Sequence, residues 1–222
     1  MFRNRERNLW QIVLTVAAVV IVLFFFRRPD ALELPATDQA RLLAWARQQL
    51  VAAANGEGPI TVPFADITND VQRERSAFVS LYEGGQLRGC MIDEFVPHEP
   101  LYRNVLRNTL LAANADDRFP PVAPDEVDGL RIAISIISPP EELTFDDPDD
   151  LLDALVPGLD GVVLAVGDSV SAYLPSVWDT FPDAAEFLAQ LCLKQGLPAD
   201  RWRQQPYPRI ETFRVFDFAE DA

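Results

Sequence analysis

The chain has 222 residues, 49% apolar and 24% charged, a composition that builds a folded core and excludes a disordered polymer. Its formal net charge is −15; residues 1–28 hold five arginines and one acid, Glu6, so the remainder carries −19. A body this acidic repels phosphate backbones, which excludes a nucleic-acid role.

The N-terminus is basic, with Arg3, Arg5 and Arg7. Leu9 to Phe26 (LWQIVLTVAAVVIVLFFF) then runs for 18 residues without a charge. As a helix it would span about 27 Å, close to the hydrocarbon thickness of a bilayer. Trp10 suits one interface, and Arg27 and Arg28 close the other. A cleaved signal peptide has a shorter apolar region ending at a small-x-small site, whereas this one ends in Phe24-Phe25-Phe26-Arg27-Arg28. The expectation is an uncleaved single-pass anchor in residues 1–28 and a linker over 29–36. The remaining 37–222 form one domain. Three arginines before the span and two after it weakly favour a cytoplasmic N-terminus and leave the side of the domain open.

Thr37 is placed to cap a helix from about Asp38 to Asn55, stopped by Gly56, with Leu42, Leu43, Ala46, Leu50 and Ala54 on its apolar face. Pro59 to Asp66 reads as extended. Ser76 to Tyr82 and Gln86 to Ile92 flank Glu83-Gly84-Gly85 and predict a β-hairpin. Alternation puts Arg88 and Cys90 on one face, with Gly89 between them leaving room for a close approach to the backbone. A helix is expected from Pro100 to about Ala115, and Leu130 to Ser138 is the strongest strand pattern, ended by Pro139-Pro140. Asp147 precedes a short helix from Pro148 to Leu155. Gly161 to Val166 and Ser169 to Leu174 predict a second hairpin, Pro182 to Gln195 a helix, and Arg209 to Phe218 a closing strand. Hairpins mixed with helices, without regular βαβ alternation, predict an α+β fold.

From about Thr37 to Phe218 the chain resembles the AMMECR domain family, whose bacterial and archaeal members are also called AmmeMemoRadiSam system protein A. The resemblance rests on ordered blocks: Leu87-Arg88-Gly89-Cys90, Asp117-Arg118-Phe119-Pro120-Pro121, and Ile134-Ser135-Ile136-Ile137-Ser138-Pro139-Pro140. Further on come Gly158-Leu159-Asp160-Gly161, Leu174-Pro175-Ser176-Val177-Trp178 and Leu193-Lys194-Gln195-Gly196-Leu197-Pro198. It implies an α+β domain of two subdomains, with mixed or antiparallel sheet and flanking helices, meeting at a cleft near the L-R-G-C stretch. It also implies a pathway shared with a Memo-type protein and a radical-SAM protein, without a defined activity. The family motif continues L-R-G-C-I-G; here Met91-Ile92 follow Cys90, so Ile92 stands where a glycine is usual. The segment to Pro100-Leu101 is one residue longer than usual, and the anchor is not a usual family feature.

Two functional classes fit these residues. In the first, the domain is a binding or accessory protein: Arg88 offers a fixed charge to a carboxylate or phosphate, and Gly89 and Cys90 shape the pocket. In the second, it is a thiol enzyme. Cys90 is the nucleophile, lowered in pKa by Arg88, with His98 as base and Glu94 or Asp93 orienting it. The only other cysteine is Cys192, and His98 is the only histidine, too few for a Cys/His zinc site. No cofactor motif or glycine-rich phosphate loop is present. Asp116-Asp117 and Asp146 to Asp150 read as solvated acids at chain breaks and helix starts, since they lack the ligand spacing of a calcium loop. Trp178 and Trp202 read as packing residues. Lys194 is the only lysine, which reads as genomic composition or salt adaptation and not as a binding site.

Overall fold

The computed structural model describes residues 32–221, so the expected anchor, Leu9 to Phe26, lies outside the described residues. Within them, no helix is long and apolar enough to cross a membrane. Helix α1 (Ala36–Ala54) buries Leu42, Trp45, Ala46 and Leu50. It starts earlier than a Thr37 cap requires: Pro35 holds the cap position, and its carbonyl accepts from the Asp38 and Gln39 N–H groups. Thr68 caps the one-turn helix α2 (Asn69–Gln72) instead, and its hydroxyl also donates to the buried Asp38.

The first hairpin forms as expected, from β1 (Ser76–Glu83) and β2 (Gln86–Met91). Its turn needs φ of 53° and 83° at Gly84 and Gly85, a region that side chains resist. With β3 (Leu130–Ile137) and β8 (Val215–Ala219) it makes an antiparallel sheet of order β2-β1-β3-β8. Ala77, Val79 and Leu81 pair with Ile136, Ile134 and Ile132, so these six residues share the face that is fully buried. Helix α3 (Leu101–Asn114) packs on β1, β2 and α1.

Two buried asparagines join α3 to the sheet. Ala77 lies beyond the end of β2, so one edge of its backbone has no strand partner. Asn104 Oδ1 accepts from Ala77 N at 2.9 Å, and Asn108 Nδ2 donates to Ala77 O at 2.9 Å. The helix supplies the hydrogen bonds a neighbouring strand would have made, which relieves the cost of burying unpaired peptide groups.

The second half is another antiparallel sheet, of order β4-β7-β5-β6. It comprises β4 (Glu141–Glu142), β5 (Gly161–Val166), β6 (Ser169–Tyr173) and β7 (Arg209–Phe213). Asp147 caps α4 (Pro148–Ala154), and Asp183 caps α5 (Ala184–Lys194). Leu151, Leu164, Phe187, Leu191 and Ile210 fill its core, with Trp178 stacked on Phe187 at 3.8 Å between ring centroids. Trp178 and Trp202 are packing residues, and Cys192 is buried in the same cluster. The α+β class with antiparallel sheets is confirmed.

The closing segment differs from expectation. Arg209 to Phe218 is two strands in two sheets, broken at Arg214. The proline pair after β3 does not end the pairing either. Ile137 pairs with Val215, and Glu141 with Thr212, so the proline side holds one extra residue and the ribbon bends from one sheet into the other. Ser138 N donates to Arg214 O at 2.9 Å, and Arg214 N donates to Ser138 Oγ at 3.0 Å, across the bend. Period-two patterning fixes which residues share a face, not which sheet the strand joins.

At Gly89 α3 comes close to the sheet backbone. A β-carbon there would lie 2.3 Å from the Ala112 carbonyl oxygen. What approaches its backbone is therefore the protein's own helix. Gly89→Ala should lower stability by about 1–3 kcal/mol through overpacking against a backbone group. Gly129→Ala, with nothing within 4 Å, is the control. Urea midpoints measure both, and equal midpoints for the two variants would refute the contact.

Candidate functional site

Strand β2 does not alternate evenly. Leu81 pairs with Gly89 and Tyr82 with Leu87, so Arg88 is the extra residue of a β-bulge. The bulge removes the spacing argument that set Arg88 and Cys90 side by side. Arg88 is 9% exposed and turns to the segment after α3. Its Nε and Nη2 donate to the Glu126 carboxylate at 2.9 and 3.1 Å, and its Cζ lies 5.9 Å from the Phe119 ring centroid. Glu126 also accepts from Ala123 N at 2.7 Å. The Arg88 hydrogen bond, with that N–H, holds the Glu126 carboxyl below its ordinary 4.5. Arg88 Nη1 is buried without a hydrogen-bond partner.

Cys90 faces the other way. It pairs with buried Ser80 in β1, whose Oγ donates to the Cys90 Sγ at 3.2 Å. Its backbone belongs to a clamp from the loop after α3. Cys90 N donates to Asp116 Oδ2 at 2.8 Å, and Arg118 Nη2 donates to Cys90 O at 3.3 Å. Arg118 also grips Asp116 through Nε at 2.8 Å and Nη2 at 2.6 Å. Burial alone would raise the Asp116 carboxyl. The Arg118 bonds and the Cys90 and Arg118 N–H groups outweigh it and hold the group below its ordinary 3.8. Asp116 is thus a buried staple and not the solvated acid expected, whereas Asp117 is exposed.

The second sheet brings Lys194 to the same place. Its Nζ donates to Ala172 O at 3.0 Å and lies 4.9 Å from the Tyr173 ring centroid. Desolvation of the ammonium, and then repulsion from Arg118, push its pKa down, against attraction from Cys90 and Asp116. The Cys90 thiol is raised by burial. The Ser80 hydrogen bond and the charges of Arg118 and Lys194 offset that only in part. The result is a protonated thiol beside two cations, at the join of the two sheets. Nearby, Phe78, Ile92, Phe95, Ala172 and Leu174 pack on buried Ile137, Val163 and Phe213.

His98 is elsewhere engaged. It is exposed, its Nδ1 is 3.0 Å from Glu94 Oε2, and its Nε2 is 2.9 Å from Arg107 Nη2. A guanidinium only donates, so Nε2 accepts and the proton sits on Nδ1, toward Glu94. Glu94 therefore orients His98 as expected, but no described contact of His98 reaches Cys90. Asp93, Glu94 and His98 offer ligand atoms within 4.8 Å of one another. Arg107 already neutralises this patch through Asp93 at 2.8 Å and Glu99 at 2.6 Å. Ser80, Asp116, Arg118 and Lys194 were not foreseen as site residues. Lys194 had a signal in the sequence, a sole lysine within the L-K-Q-G-L-P block.

The AMMECR1 family model matches residues 43–218. A protein of Methanothermobacter thermautotrophicus is 34% identical over 187 residues, covering 83% of this chain and 96% of its own. One from Methanocaldococcus jannaschii is 33% identical over 162 residues, covering 71% and 78%. The crystal structure of an uncharacterised Pyrococcus horikoshii protein superposes with a TM-score of 0.74 at 29% identity, over 81% of this chain and 90% of that one. The fold is that of a two-sheet α+β domain carrying the L-R-G-C hairpin. The chain belongs to the AMMECR1 family.

Two predictions test the geometry around β2. Arg88→Ala should cost about 2 kcal/mol, the scale of charge-assisted hydrogen bonds lost from a buried guanidinium. An unchanged denaturation midpoint would refute the Glu126 pair. Asp116 and Glu126 have folded pKa values below their ordinary 3.8 and 4.5. Their stabilisation is therefore complete above those values and is lost as pH falls through the lower folded ones. Asp116→Asn should be less stable than wild type at pH 7 and lose less on acidification to pH 3. Parallel acid limbs for the two proteins would show that the clamp carries no linked stability.

Proposed function

We propose that this AMMECR1-family domain is a membrane-tethered accessory protein that binds a ligand or partner at the Cys90 seam, and does not use Cys90 as a nucleophile. The observation that carries the reading is the state of the thiol. Burial raises it, its hydrogen-bond partner is a hydroxyl rather than a base, and the sole histidine is held at the surface. A thiol enzyme needs the reverse arrangement. The fixed charges at the seam are Arg118 and Lys194, and these replace Arg88 as the groups a ligand would meet. Arg88 is taken up by Glu126. The tether rests on the uncharged run from Leu9 to Phe26 and its flanking arginines. Memo-type and radical-SAM proteins are the partners that the family resemblance suggests.

Two measurements test this. Full-length protein should stay with the membrane pellet on alkaline carbonate extraction; release of intact chain to the supernatant rejects the tether. The alkylation rate of Cys90, followed by peptide mass spectrometry to separate it from Cys192, should reach half its maximum above pH 9, the ordinary value for a thiol. A midpoint near pH 7 would instead identify an activated nucleophile and overturn the binding reading.

A further inference from the structure

We propose that the loop over residues 59–65, with Phe64 at its tip, is a finger that dips its phenyl ring into the headgroup edge of a lipid bilayer. The proposal rests on the tether reading above and adds a second, non-covalent point of membrane contact.

Phe64 is 84% exposed, the most of the large apolar side chains among the described residues. A single exposed apolar residue is ordinary. This one belongs to an uncharged run, Pro59-Ile60-Thr61-Val62-Pro63-Phe64-Ala65, in which Pro59, Thr61, Pro63 and Ala65 are exposed as well. The tip has a defined shape. Asp66 N donates to Pro63 O at 3.0 Å and Ile67 N to Phe64 O at 3.2 Å, closing a 3-10 turn (Phe64–Asp66) in which no residue is buried. Both ends of the loop are pinned to α1. Buried Gln49 accepts from Ile60 N at 2.9 Å, and Thr68 donates to Asp38 Oδ2 at 3.0 Å. A turn held in this way presents its ring at little further cost in conformational entropy.

The second support is the place of the loop. It runs back along α1 from Gln49 to Asp38, in the first turn of the helix. Phe64 is four residues before Thr68, so at most about 14 Å from that contact. The same end of α1 is where the chain enters the domain: Leu34 is buried, and its carbonyl accepts from Gln39 Nε2 at 2.7 Å. From Phe26, the end of the uncharged run, to Leu34 the chain can reach about 28 Å at most. A tethered domain therefore keeps Phe64 within a short span of the bilayer. Charge selects the kind of contact. Beyond residue 28 the chain carries −19, which an anionic surface repels. The seven residues of the finger bring no carboxylate into the interface, so they offer apolar insertion rather than adhesion to charged headgroups. Asp66 closes the run and limits the depth to the headgroup level, where aromatic rings gather.

The test uses full-length protein reconstituted in phosphatidylcholine vesicles, with tryptophan fluorescence read with and without lipids brominated near the headgroup end of the acyl chain. Trp45, Trp178 and Trp202 are buried in the domain, so Trp10 of the uncharged run is the one indole of the wild-type chain that lipid can quench. Phe64→Trp should raise the quenched intensity about twofold, two lipid-contacting indoles replacing one. Leu159→Trp, at a position 58% exposed in the other half of the domain, should leave it at the wild-type level. Unfolding midpoints equal to wild type show that both variants are folded. No added quenching in Phe64→Trp, or equal quenching in Leu159→Trp, overturns the inference, and a quenched wild type then shows that the tether survives its failure. Emission from position 64 that is unquenched but shifts to the blue with protein concentration assigns the loop to a second copy of this chain and also overturns it. An unquenched wild type rejects the tether itself, and the inference with it.

Discussion

The reciprocal hydrogen bonds between Ser138 and Arg214 carry the architecture. They sit at the bend of one antiparallel ribbon that belongs to the first sheet as β3 and β8 and to the second as β4 and β7. Because the ribbon is continuous, the two sheets are not free bodies joined by a linker; their relative placement is set by backbone pairing on both sides of the bend. Ile137 and Phe213, the last ribbon residues before the bend on each chain, then bury their side chains with Val163 in the seam. That placement brings Lys194, at the end of a helix on the second sheet, to Cys90 on the edge strand of the first.

Charge accounting explains why the seam is chemically distinct. Elsewhere arginines meet carboxylates directly: Arg47 with Glu220, Arg88 with Glu126, Arg214 with Asp160, and Arg107 with both Asp93 and Glu99. At the seam the pattern changes. Asp116 serves Arg118 and the Cys90 N–H together, and Lys194 has only a carbonyl and a ring. A half-buried thiol thus lies beside two cations, yet stays protonated because desolvation outweighs both. Cys192, raised by burial in the second core and without a cluster of free donors, illustrates the ordinary role of a cysteine in an apolar interior.

Local features were legible in the sequence because local chemistry determines them. Gly84-Gly85 announced a turn that requires positive φ, Asp147 and Gly56 marked helix ends, and period-two patterning marked β1 and β3. The bulge at Arg88 was not legible, since it arises from register against Leu81 and Tyr82. Nor were the buried amides of Asn104 and Asn108, whose value depends on Ala77 lying past the end of β2. The division of Arg209 to Phe218 between two sheets depends on a bend set partly by Pro139 and Pro140, more than sixty residues earlier. Asp116 looked like a solvated acid because its partners, Cys90 and Arg118, meet only once β2 and the loop after α3 are docked. The candidate site was therefore readable as a stretch, L-R-G-C, but not as a constellation. Of its three functional-looking residues, Arg88 and Gly89 serve packing and ion pairing, and Cys90 alone faces the seam.

Ile92 gives the same lesson in reverse. It stands where the family motif usually has glycine, and it packs with Phe95 against Ile137, Val163 and Phe213. Phe95 in turn meets Phe78 edge-on at 5.8 Å and Phe213 at 6.1 Å between centroids. The side chain that replaces a hydrogen is thus absorbed into an apolar contact that joins the sheets. A β-branched residue at this point has lost part of its rotamer freedom before folding, so burying it costs little entropy while adding apolar area. The apolar contact and the charged cluster share the seam but use different residues: Ile92 and Phe95 on one, Arg118 and Lys194 on the other, with Cys90 two positions before Ile92 on the same stretch of chain. Substitution at Ile92 can alter the packing of the sheets without removing the donors that set the chemistry beside Cys90.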